Sequence, residues 1–243
     1  MQQGPVVRER PEGRLAIVGS GRMGQALAAA LTDAHGPFGH GFDGVGYDTV
    51  LLAVPDGAIA AAAGAVRRGP LVGHCAGAIG LDVLAPHEAF GLHPLMTVTL
   101  AGAAFRGAGA AVAGSTPRAL AIARQLATEL GMHAVEISDR DRPAYHAAAS
   151  IASNFLVTLE DAAEQLLATT GADRQILVPL VRAATENWAM FGGRTAITGP
   201  IARGDEATVS RQRAAVAERT PELLVLFDAL CERTRAMVRG DQA

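Results

Sequence analysis

Residues 15–34 read LAIVGSGRMGQALAAALTDA, and this stretch decides the fold. Leu15–Val18 is a continuous apolar run without alternation, which suits a strand covered on both faces. GSGRMG, from Gly19 to Gly24, fits G-x-G-x-x-G, and an alanine-rich segment predicts a helix over Arg22–Ala34. Strand, glycine turn and helix in this order give the three glycines separate jobs. Gly19 makes the tight turn, Gly21 lets the backbone approach a pyrophosphate, and Gly24 lets the helix pack on the strand. Backbone N–H groups at the helix N-terminus then face the phosphates. Gly19, Ser20, Gly21, Arg22, Met23 and Gly24 are therefore the expected cofactor-binding turn, with Arg22 adding a phosphate contact. A tight strand–helix turn without a ligand is the alternative.

Downstream, LLAVPDGAI closes a second buried strand, Thr49–Val54, and opens a helix over Asp56–Arg67 with Asp56 as its N-cap. Val54, Pro55 and Asp56 would lie beside the cofactor, outside the carboxyl ends of the strands. Further strands are expected at Leu71–His74, Ala89–His93, Ala110–Ala113 and His133–Ile137. A helix over Pro117–Leu130 is punctuated by Thr116 as N-cap, Pro117 at the first position and Gly131 past the end. This alternation predicts an α/β, doubly wound Rossmann-like domain.

One unit of that domain is cut short. Between the first helix and Thr49 lies HGPFGHGFDGVGYD, residues 35–48, fourteen residues of which five are glycine. A βα crossover needs at least ~10–12 residues, so an edge strand at Phe38–His40 fits but its helix does not. Asp43 falls about 20 residues after Gly24, where an acidic ribose ligand is expected, yet no β-branched run places it at a strand end. For a 2′-phosphate the nearest candidate is His40. The expected cofactor is NADP or NAD, held by a truncated adenosine half.

After ISDRDRP the strand signals stop, which divides the chain into a disordered lead-in (1–13), a dinucleotide-binding domain (14–138) and an all-α domain for substrate and dimerisation (139–243). Pro143–Ala168 reads as one long helix with Ile151, Phe155, Leu159, Ala163 and Leu167 on one stripe. More helices are expected over Asp173–Phe191, with Pro179 in the third turn, and over Glu206–Arg219 and Pro221–Arg239.

Composition narrows the function. The net charge of −3 comes without a long basic cluster, which argues against nucleic acid. No apolar run approaches the ~20 residues that span a bilayer, and no secretion signal is visible, so a cytoplasmic location with no membrane partner is expected. Cys75 and Cys231 give neither a disulfide framework nor metal spacing, and Cys75 reads as a small buried hydrophobe. The chain contains no lysine at all. A lysine general acid, a Schiff base and a P-loop are thereby excluded.

Histidines mark the candidate chemistry. GHCAGAIG and FGLHPLMTV put His74 and His93 at the ends of successive strands, where an open α/β sheet binds ligands. His74 is expected beside the cofactor and His93 as a catalytic group. On the long helix, His146, Ser150 and Asn154 follow at i, i+4 and i+8 along one face. His146 and Asn154 are read as catalytic and Ser150 as substrate-binding, on the far wall of an inter-domain cleft. The loop-like TAITGPIARGDEATV, residues 195–209, offers Thr198 and Arg203 for substrate, or a plain connector capped by Asp205.

Taken in order, GSGRMG, LLAVPDGAI, GHCAGAIG, LHPLMTV, YHAAASIASNFLVTL and TGPIARGDEATV resemble Rossmann-like proteins of the 6-phosphogluconate dehydrogenase-like superfamily that carry a C-terminal helical domain of unknown function. The resemblance spans nearly the whole chain, and its last two motifs are far more specific than the glycine turn. The layout is more distantly similar to pyrroline-carboxylate reductases and prephenate dehydrogenases. It implies an NAD(P)-dependent oxidoreductase acting on a small molecule, and a homodimer built through the helical half. Hydroxyacid dehydrogenases and ketopantoate reductases of this superfamily rely on a helical-domain lysine, so those activities are disfavoured. Ala76 departs from the family, whose members tend to have serine there, and this removes a hydrogen bond near the cofactor. A non-catalytic ligand-binding or regulatory protein on a degenerate Rossmann scaffold is the alternative function, since fold does not determine activity.

Overall fold

A computed structural model describes residues 13–99 and 102–240; the remainder of the expected lead-in lies outside them. They form two compact units, the first ending at Ser153 and the second beginning at Asn154.

The first unit is built on a seven-stranded sheet: β1 (Leu15–Val18), β2 (Ala34–Phe38), β3 (Thr49–Leu52), β4 (Leu71–His74), β5 (Ala89–Leu95), β6 (Gly109–Gly114) and β7 (His133–Glu136). Its order is β2-β1-β3-β4-β5-β6-β7. All neighbours are parallel except β5 and β6. The reversal of strand order at β1 creates the crevice where such sheets bind ligands.

Strand residues alternate between two apolar cores because successive side chains point to opposite faces. Leu15 and Ile17 join Leu27 and Leu31 beside α1 (Arg22–Ala30), with Ile122 and Leu126 of α3 (Pro117–Glu129). Ala16 and Val18 join Ile59 and Ala63 of α2 (Ile59–Ala65) on the other face. The continuous apolar runs in the sequence follow from this double coverage. The α3 punctuation is as expected: the Thr116 side chain accepts from Ala119 N, Pro117 opens the helix, and Gly131 follows in the left-handed region at φ 70°.

The second βα unit is truncated, but its strand is real. α1 stops at Ala30, four residues before the expected end, and the chain enters β2 at Ala34. β2 therefore precedes the expected Phe38–His40 edge, and Gly19 N donates to Phe38 O at 2.8 Å at its end. Where a crossover helix would lie there is a loop carrying an aromatic cluster. Phe38 and Phe42 stack at 4.3 Å, Tyr47 meets them edge-on at 5.6 and 5.5 Å, and Arg14 caps the Tyr47 ring at 4.8 Å. These rings pack on the α2-side core and replace helical burial with aromatic burial.

The helical segments also differ from the sequence pattern. The Asp56–Arg67 helix opens as a 3-10 turn, Asp56–Ala58, and Pro55 is its N-cap, so Asp56 makes no capping hydrogen bond. The expected long helix is two helices, α4 (Arg142–Ala152) and α5 (Asn154–Ala168), broken at Ser153. Ser153 Oγ donates to the Ala149 carbonyl, a local bond of the kind that bends helices. α4 belongs to the first unit, which moves the division from residue 138 to residue 153.

The second unit is all-helical: α5, α6 (Val178–Ala196), α7 (Glu206–Arg219) and α8 (Leu224–Arg239). Pro179 lies in the first turn of α6, where its missing N–H costs nothing, and not in the third turn. Asp205 caps α7 through Thr208 N at 3.0 Å, as expected.

Candidate functional site

The glycine turn separates folding glycines from one that folding does not need. A β-carbon on Gly19, which has φ 116°, would collide with the Ala53 carbonyl oxygen, and one on Gly24 would collide with the Gly19 carbonyl oxygen. Both are required for α1 to pack on the sheet. Gly21 has φ −72° and ψ 179°, extended backbone open to any residue, and a β-carbon there meets nothing within 4 Å. Gly21 is the N-cap of α1, a position glycine favours, and it leaves the backbone there uncovered, so the turn fits a pyrophosphate.

Two cavities flank this turn. One, about 420 Å³, is lined by Gly19, Ser20, Gly21, His40, Phe42 and Pro55 among others, on the side of the truncated βα unit, where the sequence pattern predicts the adenosine. The other, about 410 Å³, is lined by Arg22, Met23, Val54, Asp56, Cys75 and Ala76 among others. They share Gly21, Ala53, Val54 and Pro55. Every residue expected at the cofactor except Gly24 and His74 therefore lines one cavity or the other.

Asp43 lines neither cavity. Its Oδ1 accepts from Val45 N at 2.9 Å and its carbonyl accepts from Arg67 N. It caps its own turn, while His40 lines the adenosine-side cavity.

His74 is a correction of another kind. It is fully buried, its Nε2 lies 3.1 Å from the Gly80 carbonyl and its Nδ1 accepts from Ala76 N at 3.2 Å. Both ring nitrogens are engaged, so His74 shapes the 75–80 turn and has no surface left for cofactor. Burial lowers its pKa, against the raising effect of the Gly80 carbonyl.

His93 and His146 do come together. β5 carries His93 and the first turns of α4 carry Tyr145 and His146. The His93 and His146 ring centroids are 6.1 Å apart, and His93 Nδ1 lies 2.8 Å from the Tyr145 hydroxyl. Burial first, then His146, Arg142 and His74, push the His93 pKa down to about 4, so the ring is neutral at pH 7. Burial raises the Tyr145 pKa. Gly77 closes the group from the β4 side: a β-carbon there would lie 2.6 Å from His146 Cδ2 and 2.9 Å from His93 Nε2.

A buried arginine holds this arrangement. Arg142 is fully buried; its Nε donates to Asp139 Oδ1 at 2.9 Å and its Nη1 to the Ala76 carbonyl at 3.3 Å. Asp139 Oδ2 in turn accepts from Leu81 N at 3.0 Å. The start of α4 is thus tied to the turn that carries Cys75, Ala76 and Gly77. Burial pushes the Cys75 thiol up to about 12, which disfavours the thiolate a nucleophile needs. No group of three or more His, Cys, Asp or Glu that could hold a metal occurs among the described residues.

Ser150 lies on α4 one turn beyond His146. Asn154, Thr198 and Arg203 belong to the second unit, and the break at Ser153 removes the single helix face that was to carry His146, Ser150 and Asn154. Thr198 and Arg203 are exposed, in the connection between α6 and α7. The residues missed from sequence are Tyr145 as a partner of His93, Gly77 and Arg142. Tyr145 stands 52 positions from His93, and nothing local distinguishes Arg142 from the solvated arginines beside it.

Comparison with known proteins agrees with this fold. The fold matches a Thermotoga maritima protein of known structure at TM-score 0.78 and 22% identity, covering 94% of this chain and 100% of that one. A Bacteroides fragilis protein described as an NADP oxidoreductase matches at TM-score 0.75 and 18% identity, covering 91% and 97%. A 1-pyrroline-5-carboxylate reductase from Streptococcus pyogenes matches at TM-score 0.59 and 14% identity, covering 92% and 98%. No curated protein matches the sequence. Residues 108–234 match the model of a domain of unknown function, DUF2520. The chain has a Rossmann-like fold and belongs to the DUF2520 family.

Proposed function

We propose that this protein is an oxidoreductase that uses NADP, or less favourably NAD, to reduce or oxidise a small metabolite. The single observation that carries the reading is Gly21, a glycine that packing does not require and that lines both cavities beside the turn. The description of the Bacteroides fragilis protein as an NADP oxidoreductase supports it. Gly21, Arg22 and Met23 would hold the pyrophosphate at the N-terminus of α1, with Ser20 and His40 on the adenosine side and Val54, Pro55, Asp56 and Ala76 around the nicotinamide. A bound nicotinamide supplies the hydride chemistry, and the protein supplies orientation and electrostatics.

The adenosine-side cavity favours the 2′-phosphorylated cofactor. No acidic side chain lines it. A carboxylate there would bind the ribose 2′-hydroxyl of NAD and repel a 2′-phosphate. His40 and Ser20 instead offer hydrogen bonds to that phosphate. On the substrate side, neutral His93 would orient an acceptor atom of the substrate, His146 would stand beside it, and Ser150 would contact the substrate. Asn154, Thr198 and Arg203 enter no step of this reading.

The helical unit supports a homodimer as a second part of the proposal. Phe155, Val157, Leu180, Trp188, Met190 and Phe191 are all more than half exposed. Apolar surface in this amount marks an association site on a protein otherwise patterned for water. No helix of the described residues is long and apolar enough to cross a membrane, so a bilayer-spanning segment does not account for it.

Thermal shift with NADPH and NADH tests the cofactor reading. At 100 times Kd a ligand stabilises the fold by about 2.7 kcal/mol, so NADPH should raise Tm clearly and NADH less. No shift with either nucleotide would favour a ligand-binding scaffold that has lost the dinucleotide.

A further inference from the structure

We infer that Tyr145 is a positioning residue: its hydroxyl donates to Nδ1 of His93 and thereby fixes His93 as the neutral tautomer with its proton on Nε2, the nitrogen left free to bind substrate. The inference rests on the proposed oxidoreductase reading for its purpose, but its structural content stands on the apo protein.

Three observations carry it. The first is the 2.8 Å contact between the Tyr145 hydroxyl and His93 Nδ1. Both groups can donate or accept, so the direction is decided by chemistry. A phenol, with an ordinary pKa near ~10, is a far better donor than a neutral imidazole N–H, and an imidazole nitrogen is a far better acceptor than a phenolic oxygen. The stronger arrangement has Tyr145 donating. A neutral imidazole that accepts at Nδ1 must carry its proton on Nε2.

The second observation is the geometry at Nε2. No described residue hydrogen-bonds this nitrogen, while a β-carbon on Gly77 would lie 2.9 Å from it. Gly77 does not have the positive φ that would demand glycine for the backbone. Its missing side chain keeps Nε2 uncovered and makes room for His146 beside it. The turn that provides this opening also lines the nicotinamide-side cavity through Cys75 and Ala76.

The third is the charge around the ring. Facing His93 are His146 and Tyr145 from α4, His74 from β4, and the buried guanidinium of Arg142, whose charge disfavours a second proton on the imidazole. His93 therefore works as a neutral hydrogen-bond donor, suited to a carbonyl oxygen or a similar uncharged acceptor. Passing the Nε2 proton on to substrate would require Tyr145 to become tyrosinate, which its burial opposes. The pair polarises and orients; it does not deliver the proton.

The test is two-bond ¹H–¹⁵N correlation on apo protein with ¹⁵N-labelled histidine at pH 7, with the His93 signals assigned by their loss in His93→Gln. The expected result is a single Nε2–H tautomer in the wild type and a mixture of both tautomers in Tyr145→Phe. Tyr47→Phe, in the aromatic cluster of the truncated unit, should leave the His93 signals in place. A wild-type His93 protonated at Nδ1, or a Tyr145→Phe spectrum unchanged from wild type, would overturn the inference. Because no nucleotide is present, neither result depends on whether the cofactor reading holds.

Discussion

Replacing Gly21 separates ligand binding from folding more cleanly than any other substitution in this protein. Its backbone, at φ −72° and ψ 179°, accepts any residue, and a β-carbon meets nothing within 4 Å. In Gly21→Ala, the weaker N-cap costs about 0.5–1 kcal/mol, and the less flexible unfolded chain returns about 0.4–1 kcal/mol. The apo protein should therefore melt within a few degrees of wild type. Gly21 lines both cavities, and the added methyl group would stand where a pyrophosphate must approach the backbone. NADPH affinity should fall at least tenfold, or about 1.4 kcal/mol, and further in Gly21→Val. Gly24→Ala is the contrast: its methyl group collides with the Gly19 carbonyl, a backbone atom with no rotamer in which to escape. Overpacking of this kind costs about 1–3 kcal/mol, so the apo melting point itself should drop. Differential scanning fluorimetry of the apo variants and titration by nicotinamide fluorescence measure both quantities. A Gly21→Val protein that folds normally and binds NADPH as tightly as wild type would refute the assignment of this turn to the cofactor.

Other expectations follow from the same structure. His93 has a folded-state pKa near 4, below its ordinary value of 6.5, so the unfolded chain binds the extra proton between these values. Stability from this group is complete above pH 6.5 and is lost as pH falls towards 4; urea midpoints across this window should decline less steeply in His93→Gln. Arg142→Ala removes a fully buried side chain that ties α4 to the Ala76 carbonyl, and should lower stability by about 2–4 kcal/mol in urea denaturation. His40→Ala should weaken NADPH binding while leaving NADH affinity within about twofold, because the 2′-phosphate is the only group that distinguishes them. Sedimentation should give a dimer for the wild type and a monomer for the double variant Phe155→Asp, Leu180→Asp. The single tryptophan, Trp188, is 61% exposed in one chain, and its emission should move to the red on dissociation.

Much of the fold was legible because its rules are local. The strand–glycine–helix pattern at Leu15–Ala30, the capped α3 and the capped α7 each depend on residues within a few positions of one another. The truncation was legible as arithmetic, since the eight residues between His40 and Thr49 cannot hold a crossover helix and its connections. What replaced the missing helix was not, because stacking of Phe38 on Phe42 and Tyr47 depends on where β2 ends. The break at Ser153 escaped a periodicity argument, because α4 and α5 each keep a helical pattern and a single residue separates them. In the site, strand ends located His74 and His93 correctly but could not tell a structural imidazole from a free one. Their fates were decided by the Gly80 carbonyl in one case and the Tyr145 hydroxyl in the other. Asp43 likewise has a partner in its own turn, Val45 N, which its spacing from Gly24 could not show.

The proposed function requires a dinucleotide across Gly21 despite the shortened adenosine half, and a crystal structure of the protein grown with NADPH decides it. Pyrophosphate density is expected over the Gly21–Met23 backbone, with adenosine beside His40 and nicotinamide beside Pro55 and Ala76. Crystals grown at saturating NADPH that show no nucleotide at this turn, or show it elsewhere on the protein, would contradict it.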